Sequence, residues 1–364
     1  MGFFKNILYR LGQLSPPPRR NAFEFSSFGK LPPELILYIT HFLPPESAAS
    51  FSICCRPIYF ALGTQHLEDL QEHSNIYAVE HRDQFLTLLE RDLPNNTVCY
   101  YCIKLHSIKK AHRHVHWKRD YASQLPCWKA DYDAFTSLYI HGKFSSTIFE
   151  MTMKLHRQGL DYSDLLRLMS QRTKTDFQPG YVEQQTAVAR IVNGNLLIRE
   201  QKRFMIPTTQ PIPFPWNPCF FICTHIKFLS INDLNRYLRS IRVPHWKTQK
   251  VYSHLERLIR CKYCCSEYRV DFKQFGECGN AMYVTKWLDL GEGPLDHRCQ
   301  SHFSRCGEWQ QVEFELGSIC SAFEGKEHFD FDSDSVISPK ARKELFKKTP
   351  QSWPEDLLSL TFPN

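Results

Sequence analysis

The chain has no apolar run approaching the roughly 18 residues that span a bilayer, and Pro16-Pro17-Pro18 interrupts its N-terminal segment early. A membrane-spanning protein is therefore not expected. A secretory signal is also lacking, so the 14 cysteines read as reduced thiols, metal ligands and buried small apolar groups in the cytoplasm or nucleus, not as a disulfide framework. Met1-Gly2 opens like a myristoylation signal, but Asn6 stands where the motif needs Ser or Thr. There is no P-loop, dinucleotide fingerprint, GxSxG elbow or HExxH, and these absences speak against a catalytic cofactor and against an enzyme. No internal repeat is found, and Lys and Arg are not gathered into one long run.

What is present is a globular composition. Across 364 residues, 42% are hydrophobic and 14% aromatic, which argues against general disorder, while 23% are charged and the net charge is only +7. That length accommodates a small module plus one large domain. Residues 1–30 read as a flexible N-terminal segment with an amphipathic turn around Phe3, Phe4, Ile7 and Leu8.

Local signals are densest in Leu31 to Gly63, LPPELILYITHFLPPESAASFSICCRPIYFALG. Pro32 and Pro33 suit a first helical turn, where a missing N–H costs nothing, and Glu34 complements the positive helix end. Leu35, Ile39, Phe42 and Leu43 then form one apolar stripe, about ten residues long, before Pro44-Pro45 stops the helix. A second helix from Pro45 buries Ala48, Ala49, Phe51 and Ile53. An interior proline costs roughly 3 kcal/mol, so the chain must break before Pro57 and reopen as a third helix ending at Gly63. Three short helices cannot bury these groups among themselves, and a partner surface is the economical explanation.

The stretch resembles the F-box, the adaptor-binding module of Skp-cullin-F-box ubiquitin ligases. Leu31-Pro32, Glu34-Leu35, Ile39, Leu43-Pro44 and Cys55-Arg56 fall on that motif, with Ile58 where many members carry tryptophan. The resemblance implies a three-helix F-box over 31–70 that docks on a Skp-type adaptor, and through it a cullin, by Leu31, Pro32, Leu35, Ile39 and Leu43.

Behind it, Tyr77 to Leu93 places Ala78, Phe85, Leu86, Leu89 and Leu93 on one helical face. FLTLLERDLP, CYYCIKLH, CKYCCSEYRVDF, VTKWLDLGEG and SHF resemble a region found behind the F-box in fungal F-box proteins. His106, His112, His114 and His116 follow among Lys104, Lys109, Lys110, Arg113, Lys118 and Arg119, with Trp117 nearby. We read this as a basic surface loop; a zinc-stabilised nucleic-acid-binding protein using it is the rival reading. Residues 130–180 read as helical pieces, the clearest with Ser163 as N-cap. Thr186 to Ile206 reads as a hairpin around Asn193-Gly194. QPIPFPWNPC reads as a loop and Ser230 to Ile241 as a helix; Tyr268 to Phe272 and Ala281 to Leu290 read as strands. The expected fold is α+β: a flexible segment 1–30, the F-box 31–70, a mixed helix and antiparallel-strand domain 71–325, and a mobile tail 326–364.

Two C-x2-C pairs, Cys99 with Cys102 and Cys261 with Cys264, read as candidate zinc half-sites, at least one of them expected to bind structural zinc, because two thiolates three residues apart can grip one tetrahedral ion from a tight turn. They can join into one four-thiolate site across the chain, or take local partners: Cys127 or His106 for the first, Cys223 and His225 for the second. Packing of these cysteines in the core is the alternative to metal. The functional expectation is a non-catalytic substrate receptor that presents an unidentified target protein for ubiquitination, or else an F-box scaffold acting outside ubiquitin transfer.

Overall fold

The computed structural model describes residues 26–71, 76–99, 102–115, 139–178, 181–206, 220–228, 258–274, 279–302, 310–325 and 338–348. Two compact units divide the chain, Met1–Leu105 and His106–Asn364. The fold is α+β, with helices dominating the first unit and an antiparallel sheet the second. None of the described helices is long and apolar enough to cross a membrane.

In the first unit a 3-10 turn, Ser27–Lys30, leads into α1 (Pro33–Thr40), α2 (Pro45–Ser52), α3 (Arg56–Leu62), α4 (Gln65–Asp69) and α5 (Ile76–Asp92). Prolines open the first three of these helices, and Gly63 closes α3 with φ +69°, a backbone angle that favours glycine. α1 is eight residues long, and its inward positions are Ile36 and Thr40. Ile36, Ile58 and Leu62 form the core of α1 and α3, with Leu31, Phe51 and Cys55 against it. The stripe expected from spacing does not face this core: Leu35 and Phe42 are 48% and 69% exposed. A second cluster joins Ala49, Leu67 and Leu70 to Phe85, Leu86 and Leu89 of α5 and to Val98. His81 on α5 lies 2.7 Å from the Glu46 carboxylate of α2. Strand β1 (Asn96–Cys99) then pairs with β2 (Lys104–Ser107).

The second unit continues with a 3-10 segment, Ile108–His114, then α6 (Ser146–Arg157) and α7 (Ser163–Met169). The basic stretch is thus partly ordered structure. His106 and His114 are buried, with ring centroids 4.6 Å apart, while Lys104, Lys109, Lys110 and Arg113 stay exposed; His116 to Arg119 lie outside the described residues. Tyr162, not Ser163, caps α7.

Next come β3 (Gln171–Gln178), β4 (Tyr181–Val192), β5 (Asn195–Ile206), the small pair β6 (Phe220–Phe221) and β7 (Lys227–Phe228), then β8 (Ile259–Arg260), β9 (Ser266–Gln274) and β10 (Asn280–Asp289). Six of them form one sheet in the order β3-β4-β5-β10-β9-β8. The Asn193-Gly194 turn is as expected: both residues have positive φ, +51° and +81°, and Val192 pairs with Asn195. β3 corrects the helical reading of 130–180; its ladder to β4 shifts register between Gln171 and Lys174, a bulge. Short helices α8 (His297–Ser301) and α9 (Ser318–Glu324) follow, and α10 (Pro339–Lys348) comes last. That last helix falls inside the stretch 326–364 expected as a mobile tail; 326–337 and 349–364 lie outside the described residues. Phe346, 7% exposed, packs with Val182, Met205, Ala281 and Tyr283 of the sheet. The proline-rich loop and the helix expected at 230–241 lie outside the described residues, as does nearly all of 1–30.

One sheet face meets α6 and α7 through Ile148, Phe149, Met151, Leu165 and Met169, packed on Ala189, Leu196, Ile198 and Leu288. Its far end holds Phe204, Met282, Val270 and Val284 against Ile222. The second face carries α9 at one end, where Phe323, Ile319 and Cys320 meet Leu197 and Trp287. There the buried Glu267 carboxylate accepts from the N–H groups of Gly317 and Cys320 at 2.6 and 2.8 Å, joining β9 to the start of α9.

Between the two apolar ends of the first face lies a buried ion pair. Glu200 on β5 sits opposite Lys286 on β10, carboxylate to ammonium 2.7 Å, both side chains 3% exposed. Lys286 also donates to the Tyr139 carbonyl at 2.7 Å, and Gln185 donates to Glu200. Burial alone would raise the Glu200 pKa, but Lys286 and Lys202 outweigh it and hold it below its usual value. Removing one partner strands the other charge, so Lys286→Met is expected to cost about 3–5 kcal/mol in denaturant unfolding, whereas a Glu200→Gln, Lys286→Met double variant should recover part of it. A single variant within 1 kcal/mol of wild type would show that the pair does not carry this role.

His141 is fully buried nearby. Its Nδ1 accepts from the Lys143 N–H at 3.2 Å, and Nε2 has no hydrogen-bond partner among the described residues. Burial pulls its pKa from 6.5 down to about 4. The folded state thus holds the neutral ring, and the stability this confers is complete above pH 6.5 and lost as pH falls towards 4. The loss is on the order of 3 kcal/mol. Unfolding free energies at pH 7 and pH 4.5 should fall less for His141→Asn than for wild type; an equal fall would remove His141 from the acid response.

Candidate metal centre

Two hairpin turns of the second unit face each other. One is the β6–β7 turn, closed by the Ile222 N–H on the Ile226 carbonyl at 3.0 Å, and it carries Cys223 and His225. The other is the β8–β9 turn, closed by the Cys261 N–H on the Ser266 carbonyl at 2.9 Å and the Ser266 N–H on the Cys264 carbonyl at 2.7 Å. It holds Cys261 and Cys264 on one side of the chain.

The four residues offer ligand atoms that all lie within 4.8 Å of one another. Cys223 Sγ is 3.7 Å from Cys261 Sγ, and Cys261 Sγ is 3.7 Å from His225 Nδ1. Sulfurs placed ~2.3 Å from a tetrahedral zinc are about 3.8 Å apart, so the spacing suits that ion. The cysteines are at most 1% exposed. Three soft thiolates and an imidazole fit zinc, and an ion held here would have all four positions filled by protein, the closed arrangement of structural sites.

The charge balance leads the same way. Cys223 is pushed up by its hydrogen bond to Cys261, and Cys264 is pushed up by burial. Cys261 is pulled down by S–H donation from Cys223 and Cys264. Ionising all three of these close, buried thiols is costly without a cation, and a divalent ion would allow it. Outer contacts fix the ligands: the Tyr263 N–H points at Cys261 Sγ at 3.4 Å, Ser266 Oγ lies 3.1 Å from Cys264 Sγ, and the Tyr263 ring packs against His225 at 5.5 Å. The next cysteine, Cys265, is not a ligand. Strand alternation turns it to the opposite face beside Trp287, and burial pushes its thiol up to about 12.

Of the alternatives read from sequence, the second knuckle thus takes the local set, Cys223 and His225, and the four-thiolate arrangement with Cys99 and Cys102 leaves these two donors out. In the first unit Cys99 ends β1, buried, and Cys102 follows in the turn, their sulfurs within 4.8 Å of each other. His106 lies on β2, and Cys127 is outside the described residues. No family model, curated protein or solved structure matches the chain.

Elemental analysis of the purified full chain should show zinc, and Cys264→Ser should lose one equivalent relative to wild type. Chelation should lower the unfolding temperature by about 5 °C or more, as for loss of roughly 2 kcal/mol in a domain of this size. Equal zinc content in wild type and Cys264→Ser would refute the assignment.

Proposed function

We propose that the chain is the substrate-receptor subunit of a Skp-cullin-F-box ubiquitin ligase, with the first unit docking on the adaptor and the second holding a target protein. The observation that carries this reading is the apolar surface the short helices leave outside. Leu35, Leu37, Tyr38 and Phe42 around α1 and Phe60 on α3 are between 43% and 79% exposed, while Ile36, Ile58 and Leu62 face inward. An apolar surface of this kind marks an interaction site in a folded protein. It also carries the F-box-like positions: Pro32 and Leu35 are exposed, and Leu31, Ile39 and Leu43 are half-buried.

The chain itself then performs no chemistry. Ubiquitin transfer follows from proximity, because a bound target is held at high effective concentration beside the loaded ubiquitin-conjugating enzyme. A zinc centre would hold the second unit together and take no part in transfer. This role places the protein in the cytoplasm or nucleus.

Pro32 and Leu35 are exposed, so changing them tests docking without disturbing the core. A Pro32→Ala, Leu35→Asp variant should fold as wild type by circular dichroism yet lose capture of a Skp-type adaptor by about tenfold or more, since a buried leucine contributes roughly 1.5 to 3 kcal/mol. Undiminished capture of adaptor and cullin would reject these contacts.

A further inference from the structure

The second face of the sheet is polar at mid-length. Between the apolar patches under α9 and α10, the strands present Thr186, Arg199, Gln201 and Arg203, which open into a cleft of about 810 Å³. Arg167 of α7 and Arg172 of β3 complete its walls, so among the described residues four guanidinium groups line it and no carboxylate does.

Two of the four are compensated outside the cleft. Arg167 pairs with the exposed Asp164, and Arg199 Nη1 donates to both carboxylate oxygens of Glu324 at 2.9 and 3.0 Å. The other two have no carboxylate beside them among the described residues. Arg172 is exposed at the β3 bulge. Arg203 is only 7% exposed; its Nη1 donates to the Gln184 amide oxygen at 3.3 Å, and its Nε has no partner among the described residues. Burial and the nearby Arg199 both pull its pKa down, yet a guanidinium cannot shed its proton at neutral pH. A buried cation with an unused N–H in the wall of an open cleft is a group awaiting an anion.

We propose that this cleft binds a phosphate monoester, carried by a small molecule or by a phosphorylated side chain of a bound protein. Two uncompensated arginines match its charge of about −1.5 to −2, and its three acceptor oxygens match forked guanidinium donors. A nucleic-acid strand fits less well, because among the described residues no aromatic side chain lines the cleft for a base to stack on. The site lies wholly within the second unit and does not rest on the docking role of the first.

The test uses the full chain with three probes: phenyl phosphate, a phosphoserine peptide and its unphosphorylated counterpart, by calorimetric titration. Saturable binding of the two phosphorylated probes is expected, with no binding of the third. Arg172→Gln, an exposed change, should weaken binding about tenfold or more, and Arg203→Gln should abolish it. If Arg203→Gln fails to fold by circular dichroism, Arg203→Lys, which keeps the charge and loses the fork, should still weaken binding. A peptide at least tenfold tighter than phenyl phosphate identifies a protein-borne group; equal affinities identify a free ester. Failure of both phosphorylated probes to bind, binding unchanged in Arg172→Gln, or an RNA oligonucleotide that phenyl phosphate does not displace would each overturn the proposal.

Discussion

The second unit depends on the register between β5 and β10, and the strongest constraint on that register is the buried contact of Glu200 with Lys286. A strand slipped by one residue turns every side chain to the opposite face. Here that slip would turn Glu200 to the cleft face and leave the buried Lys286 ammonium opposite Arg199 or Gln201, without its carboxylate. The belt arises because β5 carries five polar residues in succession, Arg199 to Arg203, between Leu196-Leu197-Ile198 and Phe204-Met205-Ile206. Strand alternation divides them between the faces: Glu200 and Lys202 turn towards Lys286, and Arg199, Gln201 and Arg203 towards the cleft. Each face is therefore apolar at both ends and polar in the middle; helices cover both apolar ends of the second face and one of the first, and Ile222 of the β6–β7 hairpin packs on the other.

The metal-type cluster solves a different problem. β6, β7 and β8 are two residues each, too short to hold two hairpins together by ladder hydrogen bonds alone. A metal ion held by the four potential ligands of the facing turns would supply the missing link, and the adjacent Cys265 serves the hydrophobic core behind them. One five-residue run, Cys261 to Cys265, thus contributes to two layers of the unit.

Much of this was legible because local rules decide it. Proline pairs placed the first helices, Asn193-Gly194 placed the central hairpin, and the two C-x2-C spacings marked the turns. Other features depend on contacts distant in sequence. β3 reads QRTKTDFQ, a polar segment with no alternation to declare a strand, and pairing with β4 alone makes it one. The inward positions of α1 are Ile36 and Thr40 because α3 packs there, and spacing along a single helix cannot reveal which stripe meets a neighbour. α10 has a highly charged sequence, and its helix is anchored by Phe346. The completing donors Cys223 and His225 were legible only as alternatives, since the fold brings them to Cys261 across more than 30 residues. Glu267 gives no local sign of meeting the start of α9. The arginine cleft had a signal, the polar run in the middle of an otherwise apolar strand, whose meaning emerges once the two faces are separated.

The bulge in β3 bears on how the protein behaves at high concentration. Every open sheet has two borders whose free N–H and C=O groups can recruit a strand from another molecule. At one border the register shift twists β3 out of line and sets Arg172 and Lys174 on the exposed rim; at the other, β8 offers only two residues. The β3 border, broken by this shift and carrying two exposed cations, therefore gives a second copy no long, flat template among the described residues.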